Sequence, residues 1–534
     1  MPIDRPSPAT REETPFVLAL SVALTAASLA YGFRHGLLLL YGDAVAHLHI
    51  ARRIFDSINP GYRQLGSVWL PLPHLLLLPF VWRTDWWQNG LAGAWPSMAS
   101  YVAASVGMYR LARFWMEPLW AVLAFLALAL NPGLLYMSTT AMTEPLFLAL
   151  FLWSVVWLLE LERATRLEDF SQARNALWKL TLVLIAAVFT RYDGWILGTL
   201  AWILAATWTV RRRLWRVRAM RPALVFCTLL LAAAPLLWLA YNWRFYGDPL
   251  DFMRGPYSAS AIEARTSAPG SAHYPGYHHI WIATLYYLKA ATLGAFCKHT
   301  GHVMLLLAYV GTGLAIGRNR VSALPAALLL WMPLPFYAYS VAYSAVPIFI
   351  PVWGPFAYYN TRYGMEMLPA FALFPLFVAV IVTNYRPRWR TPALWMVAAL
   401  MIANSLLLLR ATPLVLQEAR VNASTRVPFE KALAKNLMFL PPEDTILMYT
   451  SAHVGALEDI GFPLKQTVNE GDDGQWDRAM QHPAAAANVV VAIAGDPVTE
   501  AVSRHPEGLQ LMDIICSTGQ PCARIYRSAL HGVQ

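Results

Sequence analysis

Positions 194–242 read GWILGTLAWILAATWTVRRRLWRVRAMRPALVFCTLLLAAAPLLWLAYN and place six arginines between two apolar runs. Because a helix that crosses a bilayer needs about 20 mainly apolar residues, the runs 194–209 and 222–242 are predicted to span a membrane. Loops rich in Lys and Arg stay on the cytoplasmic side of such helices, which places RRRLWRVRAMR (211–221) in the cytoplasm. This stretch therefore predicts a helical membrane hairpin whose orientation is defined by its arginines.

The whole chain has the composition of a membrane protein. It contains 534 residues, of which 57% are hydrophobic and 13% are charged, whereas soluble domains carry about 25% charged residues. The net charge of +10 arises from short basic clusters between apolar runs. Membrane lipids are therefore the predicted surroundings, and no nucleic-acid partner is predicted. Four cysteines without a CxxC pair exclude a disulfide scaffold and a zinc ribbon.

Similar apolar runs recur as far as residue 410 and predict about eleven transmembrane helices in an all-α multi-pass membrane protein. Basic clusters lie between alternate runs, which predicts a cytoplasmic N-terminus. The polar start of the chain and the length of the first run predict an uncleaved first span. The predicted spans are 15–33, 94–112, 118–136, 145–160, 177–190, 194–209, 222–242, 303–317, 321–343, 364–383 and 391–410.

Two long outer loops, 34–93 and 243–302, are rich in Trp, Tyr, His and Pro. Loops of this length are usually functional. Within the first, PLPHLLLLPFVW (71–82) is apolar but short and bounded by prolines, which predicts a helix at the outer interface. If this segment crossed the membrane, the arginine cluster at 211–221 would lie outside, against the charge rule.

The character of the chain changes near residue 413. NLMFLPPEDTILMYT, NVVVAIAGDPV and LQLMDIICSTGQPCARIYRS look like strands separated by polar stretches. They predict a small α/β domain over 413–534, outside the cytoplasm, after a membrane domain over 1–412. Cys516 and Cys522 flank the turn-like STGQP segment. An oxidising outer compartment would permit a disulfide there, and two free thiols are the alternative.

Asp43 and His47 follow the first span in YGDAVAHLHIARRIFDS (41–57). On a helix, residues four apart share a face. A carboxylate and an imidazole at the outer edge of the membrane can take a proton from a hydroxyl and orient the group that does so. The alternative is that Asp43 only caps the helix, because Asp is a favoured N-cap residue.

Three more ionisable residues lie at outer span ends. Glu144 opens the fourth span in STTAMTEPLFLALF (138–151), and Arg191 and Asp193 form the turn TRYDGW (190–195). Ionisable groups in such positions are functional candidates when they face the protein interior. Glu144 next to a proline is also typical of a helix N-terminus, and Arg191 and Asp193 could simply neutralise each other.

Arg362, in YYNTRYGMEMLP (358–369), and Lys298, in the second outer loop, are candidates for binding a phosphate. The planar fork of an arginine can clamp phosphate oxygens, although a snorkelling side chain is the alternative. The histidines of that loop lack an HExxH spacing. No metal cofactor is therefore predicted, with a divalent metal as the alternative.

Together these motifs resemble the GT-C glycosyltransferases, and within them the branch of protein O-mannosyltransferases and aminoarabinose transferases. The resemblance rests on an acid after the first span, the PLPHLL segment, an acid in TEPLF, the RYDG turn, an RYxxxxLP span start and a terminal outer domain. It covers residues 15–410.

The resemblance implies transfer of a sugar from a polyprenyl-phosphate carrier to a lipid, glycan or protein acceptor. The reaction would take place with inversion on the extracytoplasmic face of a bacterial inner membrane. Asp43 would act as general base, and Glu144 would match the second acid of the family. The polar residues expected to bind substrate are His47, His74, Arg191, Asp193, Lys298, Arg362 and Tyr363.

Two other functions fit this layout. A ligase or polymerase of lipid-linked glycans would share it but use a diphosphate carrier. A transporter or flippase of lipid-linked glycans would instead place polar groups near the bilayer midplane in broken helices. The polar residues of this chain lie at one end of the predicted spans, which favours the transferase.

Overall fold

The computed structural model describes residues 13–266 and 273–530. Nineteen α-helices occur up to residue 410 in these ranges, and they form the membrane part of the protein. They are α1 (Thr14–Arg34), α2 (Gly42–Arg53), α3 (Pro71–Val81), α4 (Thr84–Asn89), α5 (Leu91–Ala112), α6 (Pro118–Ala129), α7 (Pro132–Met137), α8 (Glu144–Arg166), α9 (Phe170–Val188), α10 (Asp193–Arg211), α11 (Arg221–Tyr246), α12 (Asp251–Arg254), α13 (Ala259–Thr266), α14 (Ile280–Ala295), α15 (Gly301–Arg318), α16 (Arg320–Leu330), α17 (Pro333–Tyr343), α18 (Leu368–Tyr385) and α19 (Arg390–Arg410).

Among the described residues, seven helical segments are long and apolar enough to cross a membrane. They contain α1, α8, α11, α15, α16 with α17, α18, and α19. The protein is therefore an integral multi-pass membrane protein, as predicted. The other four predicted spans coincide with α5, α6 with α7, α9 and α10, which are shorter or less apolar.

The predicted span 118–136 is not one continuous helix. The chain leaves helical geometry between α6 and α7, and the Asn131 side chain accepts a hydrogen bond from the Leu134 amide at 2.9 Å. The Asn131 amide group donates to the Gly294 carbonyl, also at 2.9 Å. An asparagine followed by proline is a favoured helix start, so the local sequence explains the break.

The first outer loop folds back onto the membrane helices. Its apolar segment forms the 11-residue helix α3, which ends at Val81 and packs against α2 and α5. A helix of this length is too short to cross the hydrocarbon core, which agrees with the predicted interfacial position. The Leu72 amide donates to the Phe189 carbonyl at 3.0 Å, and this bond joins α3 to the outer end of α9.

The C-terminal part contains a five-stranded sheet in the order β2-β1-β3-β5-β4. β1 is parallel to β2 and β3, whereas β5 is antiparallel to both β3 and β4. Its elements are α20 (Leu414–Leu437), β1 (Ile446–Met448), α21 (Gly455–Ile460), β2 (Thr467–Val468), α22 (Gln475–Gln481), α23 (Pro483–Ala486), β3 (Val489–Ile493), α24 (Pro497–Arg504), β4 (Leu509–Ile515) and β5 (Ala523–Ser528).

The sheet confirms the predicted C-terminal α/β fold. The three predicted segments contain β1, β3, and the hairpin of β4 and β5, while the two-residue strand β2 was not predicted. Cys516 and Cys522 form a disulfide across the β4–β5 turn, with 4.3 Å between their Cα atoms. Of the two alternatives for these cysteines, the structure therefore has the disulfide.

Close packing of α15 on α18 depends on a glycine. A methyl group at Gly311 would collide with the Phe374 carbonyl, whereas a methyl group at Gly313 would meet open space. We expect Gly311→Ala to destabilise the protein by about 1–3 kcal/mol, because overpacking forces the backbones apart. Thermal unfolding in detergent measures this. Gly313→Ala is the matched control, and equal stability of the two variants would contradict the packing.

Candidate active site

The N-terminal ends of several helices bring together the predicted polar residues, beginning with Asp43 and Glu144. Asp43 lies in the first turn of α2, whose N-cap position is occupied by Tyr41. The Asp43 carboxylate accepts a hydrogen bond from the Arg362 guanidinium at 2.6 Å. Glu144 opens α8, the most buried of the seven candidate spans, so its carboxylate is directed into the protein interior. Asp43 is thus placed for a role other than the capping that was its alternative.

Arg362 is held by three carboxylates. It belongs to a 3₁₀ helix at Thr361–Met367, directly before α18. Its guanidinium nitrogens lie 2.6 Å from Asp43, 3.3 Å from Glu144 and 3.0 Å from Glu418. Each nitrogen of the fork therefore meets a different carboxylate, and this fixes the orientation of the side chain.

A second guanidinium lies beside the first. Arg191 is 3.4 Å from Glu144, 3.2 Å from Asp193 and 3.4 Å from Glu366. It also donates to the Tyr337 hydroxyl at 2.8 Å. That hydroxyl lies 2.8 Å from Asp193 and 2.7 Å from Glu366. Because a hydroxyl has one proton, Tyr337 can donate to only one of these two carboxylates at a time.

Glu144 connects the two arginine groups, because its Oε1 atom faces both guanidinium groups. Its Oε2 atom is buried and has no hydrogen-bond partner among the described residues. Five carboxylates therefore surround two guanidinium groups in one cluster. An excess of buried negative charge is costly, so we expect the cluster to meet a further cationic group.

His47 and His74 lie next to this cluster. The His47 Nδ1 and His74 Nε2 atoms are 2.9 Å apart, and the His47 ring packs against Trp69 with 4.3 Å between ring centroids. Burial and the positive charges of Arg362 and Arg191 lower the pKa of His47 to about 3. The imidazole of His47 is therefore neutral at physiological pH.

Tyr363 also joins the cluster, whereas Lys298 does not. The Tyr363 ring lies between the two arginines, with its centroid 5.2 Å from the Arg191 Cζ atom and 5.1 Å from the Arg362 Cζ atom. Lys298 is exposed in the turn between α14 and α15 and forms no ion pair with the described residues. The structure thus gathers eight of the nine predicted site residues and leaves Lys298 outside their contacts.

The described residues contain no group of three or more His, Cys, Asp or Glu side chains placed to hold a metal ion. The histidines that did enter the site, His47 and His74, bond to each other. The site therefore offers guanidinium groups, carboxylates, imidazoles and hydroxyls as its functional groups.

The sequence did not predict Glu418, Glu366 or Tyr337 as site residues. The Glu418 carboxylate accepts hydrogen bonds from the Asn360 and Thr361 amides at 2.9 and 2.8 Å and from the Arg362 guanidinium. It lies on α20, beyond the last predicted span, at the start of the C-terminal part. The C-terminal part thus contributes directly to the site.

One face of α20 forms hydrogen bonds with the start of α2 and with the residues just before it. The Asn422 side chain accepts a hydrogen bond from the Gly42 amide at 2.9 Å. Arg426 donates to the carbonyl oxygens of residues 39 and 40 at 2.9 and 3.2 Å. Glu418, Asn422 and Arg426 are four residues apart, so they share a helix face. We call these three residues the α20 clamp.

The α20 clamp predicts a local effect of one side chain. Asn422→Ala removes the acceptor of the Gly42 amide, so we expect faster hydrogen–deuterium exchange in peptides covering residues 41–46, with little change elsewhere. Mass spectrometry measures this exchange. Asn436→Ala is the matched control, since Asn436 is on the same helix and bonds only to the Ala432 carbonyl. Equal exchange in the two variants would contradict the clamp.

The protein resembles known proteins in its fold. No family model matches the sequence, and no curated protein matches it. A crystal structure of ArnT from Cupriavidus metallidurans bound to undecaprenyl phosphate covers 98% of this chain and 100% of its own, with a TM-score of 0.57 and 14% identity. The structure of ArnT in the apo state covers 96% and 99%, with a TM-score of 0.55 and 15% identity. The chain therefore has the GT-C-like fold of these ArnT structures, as its motifs predicted.

Proposed function

We propose that this protein transfers a sugar from a polyprenyl-phosphate donor to an acceptor hydroxyl at the extracytoplasmic face of the membrane. The proposal rests on the solvent exposure of one carboxylate in the cluster. The Asp43 side chain is 41% exposed, whereas the other four carboxylates of the cluster are at most 5% exposed. Asp43 is thus the carboxylate that a substrate can reach, and it is oriented by a buried guanidinium.

In the proposed step, the acceptor oxygen attacks the anomeric carbon of the donor sugar. The acceptor proton passes to the Asp43 carboxylate, and the bond between the anomeric carbon and the phosphate oxygen breaks. The phosphate leaves with the electron pair, through an oxocarbenium-like state, and the configuration inverts.

The buried acids have a positioning role in this proposal. Glu144 and Glu418 hold Arg362, and Arg362 in turn holds Asp43. Because each guanidinium already meets three carboxylates, a phosphate can use only the N–H bonds that remain. We therefore assign the approach of the phosphate to those N–H bonds of Arg191 and Arg362.

The fold supports a polyprenyl-phosphate carrier, because the ArnT structure of the same fold is bound to undecaprenyl phosphate. Native mass spectrometry of the purified protein with undecaprenyl phosphate, and with undecaprenol as the control lacking the phosphate, tests this assignment. We expect retention of the phosphate lipid at concentrations where undecaprenol is not retained. Equal retention of both lipids would overturn the donor assignment.

The proposed orientation places the C-terminal domain outside the cytoplasm. We therefore expect Cys516 and Cys522 to be disulfide-bonded in cells, because disulfides persist in oxidising compartments and are rare in the cytosol. Alkylation at harvest, followed by peptide mass spectrometry, measures their state. The free Cys297 should be alkylated in the denatured sample as an internal control. Full alkylation of Cys516 and Cys522 would place the domain in the cytoplasm and contradict the orientation.

A further inference from the structure

A groove lies between α9, α10 and α11, at the end of these helices that carries the arginine loop. Its volume is about 330 Å³, which lies within the range of ligand pockets. Trp202, Trp215 and Leu229 are among the residues that line it. Its two threonines do not offer free hydroxyls, because Thr209 and Thr228 donate to carbonyls of their own helices at 2.9 and 2.7 Å. The groove therefore suits an apolar chain.

The loop between α10 and α11 places cationic groups at the edge of this groove. Trp215 lines the groove, and the Arg216 guanidinium lies over the Trp215 ring, 4.8 Å from its centroid. Arg213 adopts a left-handed backbone conformation with φ of 51° directly before this turn. That conformation is uncommon for a residue with a side chain. Arg216 therefore lies beside the apolar groove, and Arg213 directly precedes the turn that holds it.

Most of the positive charge in this loop is not neutralised by the protein. Arg212 pairs with Glu162 at 2.8 Å. The other five arginines of the loop are exposed and form no ion pair with any described residue. They are Arg211, Arg213, Arg216, Arg218 and Arg221. A partner of this surface must therefore be anionic.

We propose that this groove binds an anionic phospholipid of the membrane leaflet that borders the arginine loop. One acyl chain lies in the groove along α10 and α11, and the phosphate meets Arg213 and Arg216. Basic pockets between transmembrane helices recognise such headgroups through charge, while the apolar groove holds the chain. This binding site is separate from the carboxylate cluster and does not depend on the proposed transfer reaction.

The basic end of another helix pair provides a matched control. Arg318 and Arg320 are exposed residues in the turn between α15 and α16. Neither of them lines the groove. If charge alone attracted anionic lipids, both basic loops would bind them. A specific binding site would involve only the loop beside the groove.

The test uses the purified full-length protein with equal amounts of phosphatidylglycerol and the zwitterionic phosphatidylethanolamine, and native mass spectrometry measures the lipid retained. We expect preferential retention of phosphatidylglycerol. R213Q/R216Q should lower that retention roughly tenfold or more, because two headgroup contacts are lost. Ala206→Trp, which fills the groove, should lower retention of the lipid without removing a charge.

The control R318Q/R320Q should retain phosphatidylglycerol like the unmodified protein. Equal retention of the two lipids by the unmodified protein would overturn the proposal. An equal loss in R318Q/R320Q would also overturn it, since retention would then depend on net charge alone. Size-exclusion profiles identify any variant that has not folded, and the groove and charge variants test the same site in independent ways.

Discussion

Asp43→Asn is expected to abolish sugar transfer while leaving the protein folded in the membrane. The amide has nearly the same shape and its oxygen can still accept from Arg362, but it cannot take the acceptor proton. Loss of a general base lowers rates by about 10²–10⁴-fold. The measurement is the initial rate of product formation from a polyprenyl-phosphate-linked sugar, followed by mass spectrometry.

Asp85→Asn is the matched control for this prediction. Asp85 lies in the same outer loop but is exposed and pairs with the neighbouring Arg83, outside the cluster. Its replacement should leave the rate unchanged. A normal rate in folded Asp43→Asn would remove Asp43 from the mechanism and leave the cluster without a carboxylate that reaches substrate.

Arg362→Lys is expected to reduce transfer by about 10²-fold, a loss typical of a misplaced catalytic group. Lysine keeps the charge but presents a single ammonium, which cannot meet Asp43, Glu144 and Glu418 together. The Asp43 carboxylate would then lose its fixed orientation. Rates and thermal stability are measured on the same preparation, with Arg420→Lys, an exposed arginine of α20, as the control.

A stability loss alone could also reduce the rate of Arg362→Lys, because buried carboxylates without a partner destabilise a fold. The double variant R362K/E418Q separates the two effects. Removing the Glu418 charge should restore part of the stability and none of the rate. Recovery of the rate along with the stability would show that Arg362 acts only in folding.

The predicted site residues share one physical reason for being expected together. Asp43, Glu144, Arg191 and Arg362 all occupy the same ends of predicted spans, so fixing the orientation of the helices places them at one level of the membrane. The alternation of basic clusters was sufficient for that purpose. The basic clusters could not show that Glu144 lies between Arg191 and Arg362, because this position depends on the tertiary packing of α8.

Glu418 could not be predicted in the same way. It lies 56 residues after its partner Arg362, beyond the last predicted span, and nothing in the local pattern links the two. The spacing of Glu418, Asn422 and Arg426 does indicate a polar helix face. Asn422 and Arg426 on that face contact the chain at the start of α2. These contacts join residues that are 380 and 387 positions apart, so no local sequence pattern reveals them.

The fold was predictable to the extent that it depends on length and hydropathy. Apolar runs located the predicted spans, and three strand-like segments located four of the five strands, whereas α14 lies inside the predicted second outer loop. The break between α6 and α7 and the two-residue strand β2 escaped prediction. The first follows from one asparagine inside an otherwise apolar run, and the second is defined only by its pairing with β1.

We propose that the protein forms a glycosidic bond at the outer face of the membrane, with the exposed Asp43 carboxylate as the general base. Proteoliposomes that contain the purified protein, a labelled polyprenyl-phosphate sugar and a membrane lipid extract as the source of acceptors test this proposal, with mass spectrometry of the acceptor fraction. We expect the unmodified protein to form the new glycosidic bond and to release free polyprenyl phosphate in equal amounts. Asp43→Asn should produce neither. Movement of the intact labelled donor across the bilayer, without bond formation, would contradict it and show a transporter.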